Sequence, residues 1–305
     1  MRTGVIDIGT NTILLLVTDA AEGKLGAVLH DEQVIARLGK GVDAERMIGP
    51  ETFLRAEGFL RTYRATCDAL NVERICAVGT SALRDARNRD EFCRHIRGST
   101  GIDIEILSGA DEAYWTYRGG ISEFIGRSDR YSVVDIGGGS TEVIIGSGTG
   151  IESSTSIDIG AVRLTERILR SSPPETSALI EAHDYIRSLM VPVTAELNTT
   201  FAVGVAGTVT TLAALHQKLP RYQPEKVSGY ALSYEDIGAM FGMLKDRSTA
   251  QIAAFPQISA GRADIILAGI MILLGYMEAG SLKRITVSDR GLRYGIALRE
   301  AERTV

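Results

Sequence analysis

Asp7 and Asp135 each end an apolar run and lead into glycine and hydroxyl residues, a combination suited to phosphate and a divalent cation. The two stretches are Val5-Ile6-Asp7-Ile8-Gly9-Thr10-Asn11-Thr12 and Val134-Asp135-Ile136-Gly137-Gly138-Gly139-Ser140-Thr141-Glu142. Carboxylate oxygens suit hard cations. Glycines let main-chain N–H groups approach a phosphate closely, and Thr10, Thr12, Ser140 and Thr141 add hydroxyls. A single Asp-x-Gly is equally an ordinary tight turn, but this one recurs 128 residues on, from position 7 to 135. Gly79-Thr80 recurs as Gly207-Thr208 at the same 128-residue offset. The pattern predicts a duplication in which two acidic, glycine-rich turns face each other across an interdomain cleft.

Three further residues carry charge suited to that chemistry. Strand alternation puts Glu142 on the face of Ser140, as a metal ligand or an exposed strand residue. Arg84 follows the Gly79-Thr80-Ser81 turn directly and offers a two-pronged guanidinium to phosphate oxygens. Glu112 suits a general base that deprotonates water, or equally a carboxylate complementing a helix N-terminus; spacing leaves both open. Arg84, Arg87, Arg89, Arg94 and Arg97 lie within fourteen residues, and Arg94 and Arg97 read more simply as a solvated helix face.

The elements that must position these residues follow from periodicity. In the first domain, strands are expected at 4–8, 12–19 and 25–38, a helix at 50–70, a strand at 74–78, a helix at 90–97, a strand at 102–107 and a helix at 110–119. The second repeats the opening, with strands at 131–136, 141–146 and 151–157 and helices at 161–169 and 174–197. A strand at 201–205, helices at 208–215, 234–244 and 263–277, a strand at 284–287 and a helix at 292–303 follow, with 220–233 a loop holding a short strand. Polar and glycine residues between Gly119 and Asp129 mark the boundary, giving domains 1–122 and 123–290, with a C-terminal helix at 291–305 packing back on the first.

Composition narrows the class. A chain of 305 residues, 45% hydrophobic and 23% charged, is that of a globular protein of two domains. A net charge of −5 disfavours a non-specific nucleic-acid binder. The longest apolar stretch, 265–277, is shorter than the roughly 20 residues of a spanning helix, and no signal peptide is visible. Neither a membrane nor a nucleic-acid partner is expected. Cys67, Cys76 and Cys93 lack Cys-x-x-Cys spacing, and the four histidines form no zinc pattern. His183-Asp184 reads as a surface helix position. These features fit a reducing cytoplasm.

The chain resembles the exopolyphosphatase/guanosine pentaphosphate phosphohydrolase family, within the superfamily of actin, heat-shock chaperone ATPases and sugar kinases. The resemblance runs in order through 7–12, 79–86, 108–113, 134–142, 160–166, 204–212, 261–264 and 289–295. Most specific are Asp135-Ile136-Gly137-Gly138-Gly139-Ser140-Thr141-Glu142 and Gly160-Ala161-Val162-Arg163-Leu164-Thr165-Glu166. It implies an α/β fold of two duplicated ribonuclease H-like (actin-like ATPase) domains, with mixed sheets flanked by helices. It also implies Mg²⁺, with Mn²⁺ as a substitute, held or shaped by Asp7, Asp135 and Glu142. Gly9, Thr10, Asn11, Thr12, Gly137, Gly138, Gly139, Ser140 and Thr141 would contact phosphate. Arg84 would grip the terminal phosphoryl group and Glu112 would activate water. Gly207 and Thr208 match a motif that approaches nucleotide in related kinases. Thr10 and Thr12 stand where serine is more usual, Asp111 replaces the first of two glutamates, and Arg290 stands where a glutamate is common. Many members continue into further helical domains, so this chain is expected to be a short form.

The expected activity is Mg²⁺-dependent release of terminal orthophosphate from inorganic polyphosphate. The same chemistry on guanosine pentaphosphate (pppGpp) is the nearest alternative. A sugar or acetate kinase and an actin-like nucleotide-binding scaffold are more distant ones. A homodimer is the base-rate expectation.

Overall fold

The computed structural model describes residues 1–195, 197 and 200–303. It divides into two compact units, one of residues 1–119 with those from 292 onward, the other of 120–291. Glu196, inside the helix expected over 174–197, and residues 304 and 305 of the expected last helix lie outside the described residues.

The first unit opens with β1 (Arg2–Ile8), β2 (Thr12–Ala21) and β3 (Lys24–Ile35). There follow α1 (Val42–Glu45), α2 (Pro50–Ala69), β4 (Arg74–Gly79), α3 (Ser81–Asp85), α4 (Arg89–Thr100), β5 (Ile104–Ile106) and α5 (Gly109–Gly120). The strands form one mixed sheet in the order β3-β2-β1-β4-β5. β1 runs antiparallel to β2 and parallel to β4. Alternation along β1 and β2 sorts side chains to two faces. Ile6, Ile8, Ile13, Leu15 and Val17 join one core with Leu60, Tyr63 and Phe92 of α2 and α4. Val5, Leu16 and Val78 join a second core on the opposite face, with Trp115 packed against it.

The second unit contains β6 (Arg130–Ile136), β7 (Thr141–Ser147), β8 (Gly150–Ile157), α6 (Ala161–Arg167) and α7 (Thr176–Met190), which ends in a short 3₁₀ turn, Val191–Val193. Pro192 supplies no N–H to prolong that helix. Then come β9 (Phe201–Val205), α8 (Ala206–His216), α9 (Pro224–Val227), β10 (Ala231–Ser233), α10 (Tyr234–Leu244), α11 (Thr249–Ala253), α12 (Ile266–Ala279) and β11 (Arg284–Val287). The sheet order is β10-β11-β9-β6-β7-β8, the order of the first sheet with β10 added at one edge. α12 is buried around most of its circumference, from Ile266 to Met277, which accounts for its unbroken apolar sequence. No helix among the described residues is long and apolar enough to cross a membrane.

The duplication has a definite register. Asp7 pairs with Leu14 and Ile8 with Ile13; Asp135 pairs with Glu142 and Ile136 with Thr141, each 128 positions on. The Gly79/Gly207 match does not share that register. Asp7 lies beside Val78 and Asp135 beside Val205, which are 127 positions apart. One residue fewer separates β6 from β9 than β1 from β4, so Gly207 corresponds structurally to Thr80. Gly79 ends a strand, whereas Gly207 is already the second residue of α8.

The last helix, α13 (Leu292–Glu302), belongs to the first unit. Leu292, Tyr294, Ile296 and Ala297 complete the core around Val5, Leu16 and Val78. α13 approaches α5 so closely that a Cβ on Gly295 would lie 1.8 Å from the Trp115 carbonyl oxygen. Arg299 grips both carboxylate oxygens of Glu105, at 3.1 and 2.8 Å, and Arg74 meets the fully buried Glu300 at 2.8 Å.

Candidate active site

In the first unit the acidic turn leaves β1 at Asp7 and enters β2 at Thr12. The Gly9 amide donates to the Thr12 carbonyl at 2.9 Å, closing the turn. The segment after β3 braces it. Ala36 and Arg37 amides both donate to the Asn11 carbonyl at 2.9 Å, and the Gly39 amide donates to the Thr10 carbonyl at 2.8 Å. A Cβ on Gly39 would strike the Thr10 methyl at 2.2 Å, so glycine is required by this approach. Thr10 and Ser81 hydroxyls meet at 3.0 Å in a buried contact. Among the described residues, the Thr10 and Asn11 amides donate to no protein acceptor.

Glu112 and Arg84 form an ion pair in the same unit. Arg84 Nη1 donates to Glu112 Oε2 at 2.7 Å and to the Leu107 carbonyl at 3.2 Å. Glu112 is buried in the first turn of α5, at 7% exposure. Burial pushes its carboxyl up, and the Arg84 charge and hydrogen bond pull it back. Asp7 sits within electrostatic reach of Glu112. Burial first, then the Glu112 charge, raises the Asp7 carboxyl to about 7, with Arg293 opposing. A buried carboxyl that also feels the charge of a second carboxylate is one that a divalent cation relieves. Sequence spacing left Glu112 ambiguous because its partners lie far away in the chain.

The rest of the arginine cluster is dispersed. Arg89 lies near Asp90, Arg97 pairs with Asp103 at 3.1 Å, and Arg94 Nε reaches the Asp90 carbonyl within its own helix. His183 is an exposed position on α7 beside Asp184 and Glu278.

The second unit repeats the turn. The Gly137 amide donates to the Ser140 carbonyl at 3.0 Å, the counterpart of the Gly9–Thr12 bond. The carbonyls of Gly137 and Gly138 accept from the Ala161, Val162 and Arg163 amides at 2.9–3.1 Å, tying the turn to the start of α6. A Cβ on Gly160 would lie 2.4 Å from the Gly138 oxygen and 2.6 Å from the Gly139 nitrogen. Thr141 Oγ1 donates to the Ile159 carbonyl at 2.6 Å. With the turn's carbonyls engaged, the amides of Gly138, Gly139 and Ser140 donate to no protein acceptor among the described residues. Glu142 is buried, accepts from the Ser156 hydroxyl at 2.7 Å, and stands directly opposite Asp135 across the β6–β7 ladder. Among the described residues no three of His, Cys, Asp and Glu gather as a metal cluster.

Gly207 and Thr208 begin α8. Arg262 covers Gly207, where a Cβ would lie 2.2 Å from the guanidinium carbon. Arg262 Nη1 donates to the Gly207 carbonyl at 2.7 Å and to Thr211 Oγ1 at 3.0 Å. Thr208 is buried against Gly269 of α12. The buried Arg262 was visible in sequence only as part of Gly261-Arg262-Ala263-Asp264, and nothing local marks it as the neighbour of Gly207.

Comparison with known proteins gives the family. Residues 16–304 match the Ppx/GppA phosphatase family. The chain is 36% identical to exopolyphosphatase 2 of Mycobacterium tuberculosis over 313 aligned residues, covering 97% of this chain and 98% of that protein. An exopolyphosphatase crystal structure from Cytophaga hutchinsonii superimposes with a TM-score of 0.91 at 30% identity, covering 100% of this chain and 99% of the other. The Ppx/GppA family member from Aquifex aeolicus gives 0.83 at 31% identity, with 99% and 98% covered.

Proposed function

The chain belongs to the Ppx/GppA phosphatase family, and we propose that it is an exopolyphosphatase, releasing orthophosphate from the end of inorganic polyphosphate. The observation that carries this reading is the buried Glu112–Arg84 pair at 2.7 Å beside Asp7. A carboxylate raised by burial is suited to take a proton from water. Arg84 holds that carboxylate in place while the site waits. A terminal phosphoryl group offers Arg84 better acceptors, so binding draws the guanidinium toward phosphate and leaves Glu112 to orient water.

The candidate groups are hard carboxylate oxygens, which suit Mg²⁺ or Mn²⁺, and the Glu112 charge acts on the buried Asp7. Asp7 is the candidate cation ligand of the first unit, and Asp135 and Glu142 are the corresponding candidates of the second; a cation so held would neutralise charge on the transferring and leaving phosphates. In each unit the turn amides that donate to no protein acceptor among the described residues, those of Thr10 and Asn11 in the first and of Gly138, Gly139 and Ser140 in the second, would contact phosphate oxygens. Phosphoryl transfer asks the protein mainly for positioning and charge stabilisation, which the turn amides, Arg84 and the carboxylates would supply.

The test is phosphate release from long polyphosphate, short polyphosphate, pppGpp and ATP, each with Mg²⁺ and with EDTA, for wild type and Glu112→Gln. Metal-dependent release from polyphosphate that disappears in Glu112→Gln is expected. Release from pppGpp alone would reassign the substrate with the same chemistry. Release unaffected by EDTA or by Glu112→Gln would overturn the mechanism.

A further inference from the structure

We propose that the groove between α7 and α10, floored by α12, binds an anionic amphiphile, a long-chain fatty acid held by its carboxylate and its chain, a role separate from the phosphohydrolase reading above. α7 and α10 both pack on α12, and a cavity of about 500 Å³ opens between them. A Cβ on Gly275 would lie 2.4 Å from Ile186 Cγ2, so α7 and α12 close one side of the cavity tightly. The buried run of α12 breaks at Leu274, which is half-buried and lines the cavity. Phe241 of α10 and Met271 of α12 extend the apolar wall. Ile180 of α7 and Val191 of the turn after it also line the cavity, yet remain 59% and 54% exposed. The lining runs from Thr176 to Val191, a length of about 22 Å at 1.5 Å per residue. A long, mostly apolar cleft with a few polar groups is the form of a small-molecule site.

The polar groups of the cleft select the head. Arg187 lies one turn beyond His183 on the same face of α7, lines the cavity, and makes no ion pair among the described residues. Tyr234, half-buried at the start of α10, gives its hydroxyl to no protein acceptor among the described residues. Burial, then the charges of Glu278 and Glu235, pushes that phenol up, so it stays a neutral donor. Glu278 is the one carboxylate in the lining among the described residues, and His183 Nε2 meets its Oε2 at 3.5 Å. The other ring nitrogen of His183 faces Asp184 at 3.3 Å. The unmatched charge of the cleft is therefore positive, and its unused hydrogen-bonding groups are donors. A carboxylate satisfies both, since it accepts two parallel bonds from a guanidinium. An ammonium head would meet Arg187 as a like charge and find Glu278 already engaged. None of the lining residues belongs to either acidic turn or to the Glu112–Arg84 pair.

The experiment is isothermal titration calorimetry of the full chain with laurate below its micellar concentration. Dodecyltrimethylammonium serves as a probe with the same chain length and the opposite head. Laurate should bind one to one, and the ammonium probe about tenfold or more weaker. Arg187→Gln should weaken laurate about tenfold and Tyr234→Phe about threefold, the worth of a charged and of a neutral hydrogen bond. Leu274→Trp, which fills the cleft, should abolish binding. No binding of laurate, equal binding of the two probes, many laurates per chain, or an affinity unchanged in Arg187→Gln would each overturn the proposal. Should circular dichroism show Leu274→Trp unfolded, the exposed Arg187 and the hydroxyl of Tyr234 still decide, because neither substitution removes core packing. None of these readings uses phosphate release, so failure to hydrolyse polyphosphate would remove the proposed function without altering the laurate outcome.

Discussion

Replacing Asp7 by Asn should stabilise the first unit and abolish hydrolysis, and the gain should grow with pH. The Asp7 carboxyl rises from 3.8 to about 7 on folding, chiefly through burial. A carboxyl raised in the folded state favours folding fully below its unfolded value. That advantage is lost as pH climbs from 3.8 to about 7, because the unfolded chain ionises Asp7 while the folded chain still holds it protonated. A rise of about three units corresponds to an upper limit of about 4 kcal/mol. Between pH 5 and pH 8 the advantage of Asp7→Asn over wild type should widen by about 2.6 kcal/mol. Trp115, the single tryptophan, packs against the α13-side core of the first unit. Urea unfolding followed by its fluorescence, in EDTA at both pH values, reports that unit directly. A gap between the two proteins that stays constant within about 0.5 kcal/mol across the two pH values would refute the reasoning.

Other expectations follow from the same geometry. Glu112→Gln should lower the rate of phosphate release by about 100-fold or more with the circular dichroism spectrum unchanged; near-normal turnover would show that the base lies elsewhere. Arg84→Lys keeps the charge but loses the planar fork, and should reduce kcat/KM for polyphosphate by about tenfold or more; equal activity would deny Arg84 a contact with substrate. Gly295→Ala should lower the urea midpoint reported by Trp115, costing about 1–3 kcal/mol, because its new methyl would meet the Trp115 carbonyl; an unchanged midpoint would contradict the close approach of α13 and α5.

Much of the site was legible because turn chemistry is local. Asp7, Gly9, Asp135 and Gly137 announced themselves by spacing, and the structure closes both turns with the same amide-to-carbonyl bond. Glu142 opposite Asp135 follows from strand alternation once the turn length is known. What sequence could not supply was long-range. The Glu112–Arg84 bond joins residues 28 apart, and Arg293 reaches Asp31 across 262. The shared register of Gly79 and Gly207 was partly misleading, since a one-residue difference between the repeats moved Gly207 into a helix. The small elements α3 and α11 escaped because five residues cannot show helical periodicity. For α11 the Ser248-x-x-Gln251 capping box was the available signal.

The first unit is discontinuous, with residues 120–291 intervening between α5 and α13, so its core depends on both ends of the chain. The second unit is drawn from one uninterrupted segment. Until α13 arrives, Val5, Leu16, Val78 and Leu107 have no cover from Leu292, Ile296 and Ala297. Arg293 is delivered by that same helix, so the segment that seals the apolar face of the sheet also supplies the partner of Asp31 on β3. Premature termination before residue 292 would leave an apolar sheet surface exposed, the kind of surface chaperones and proteases recognise.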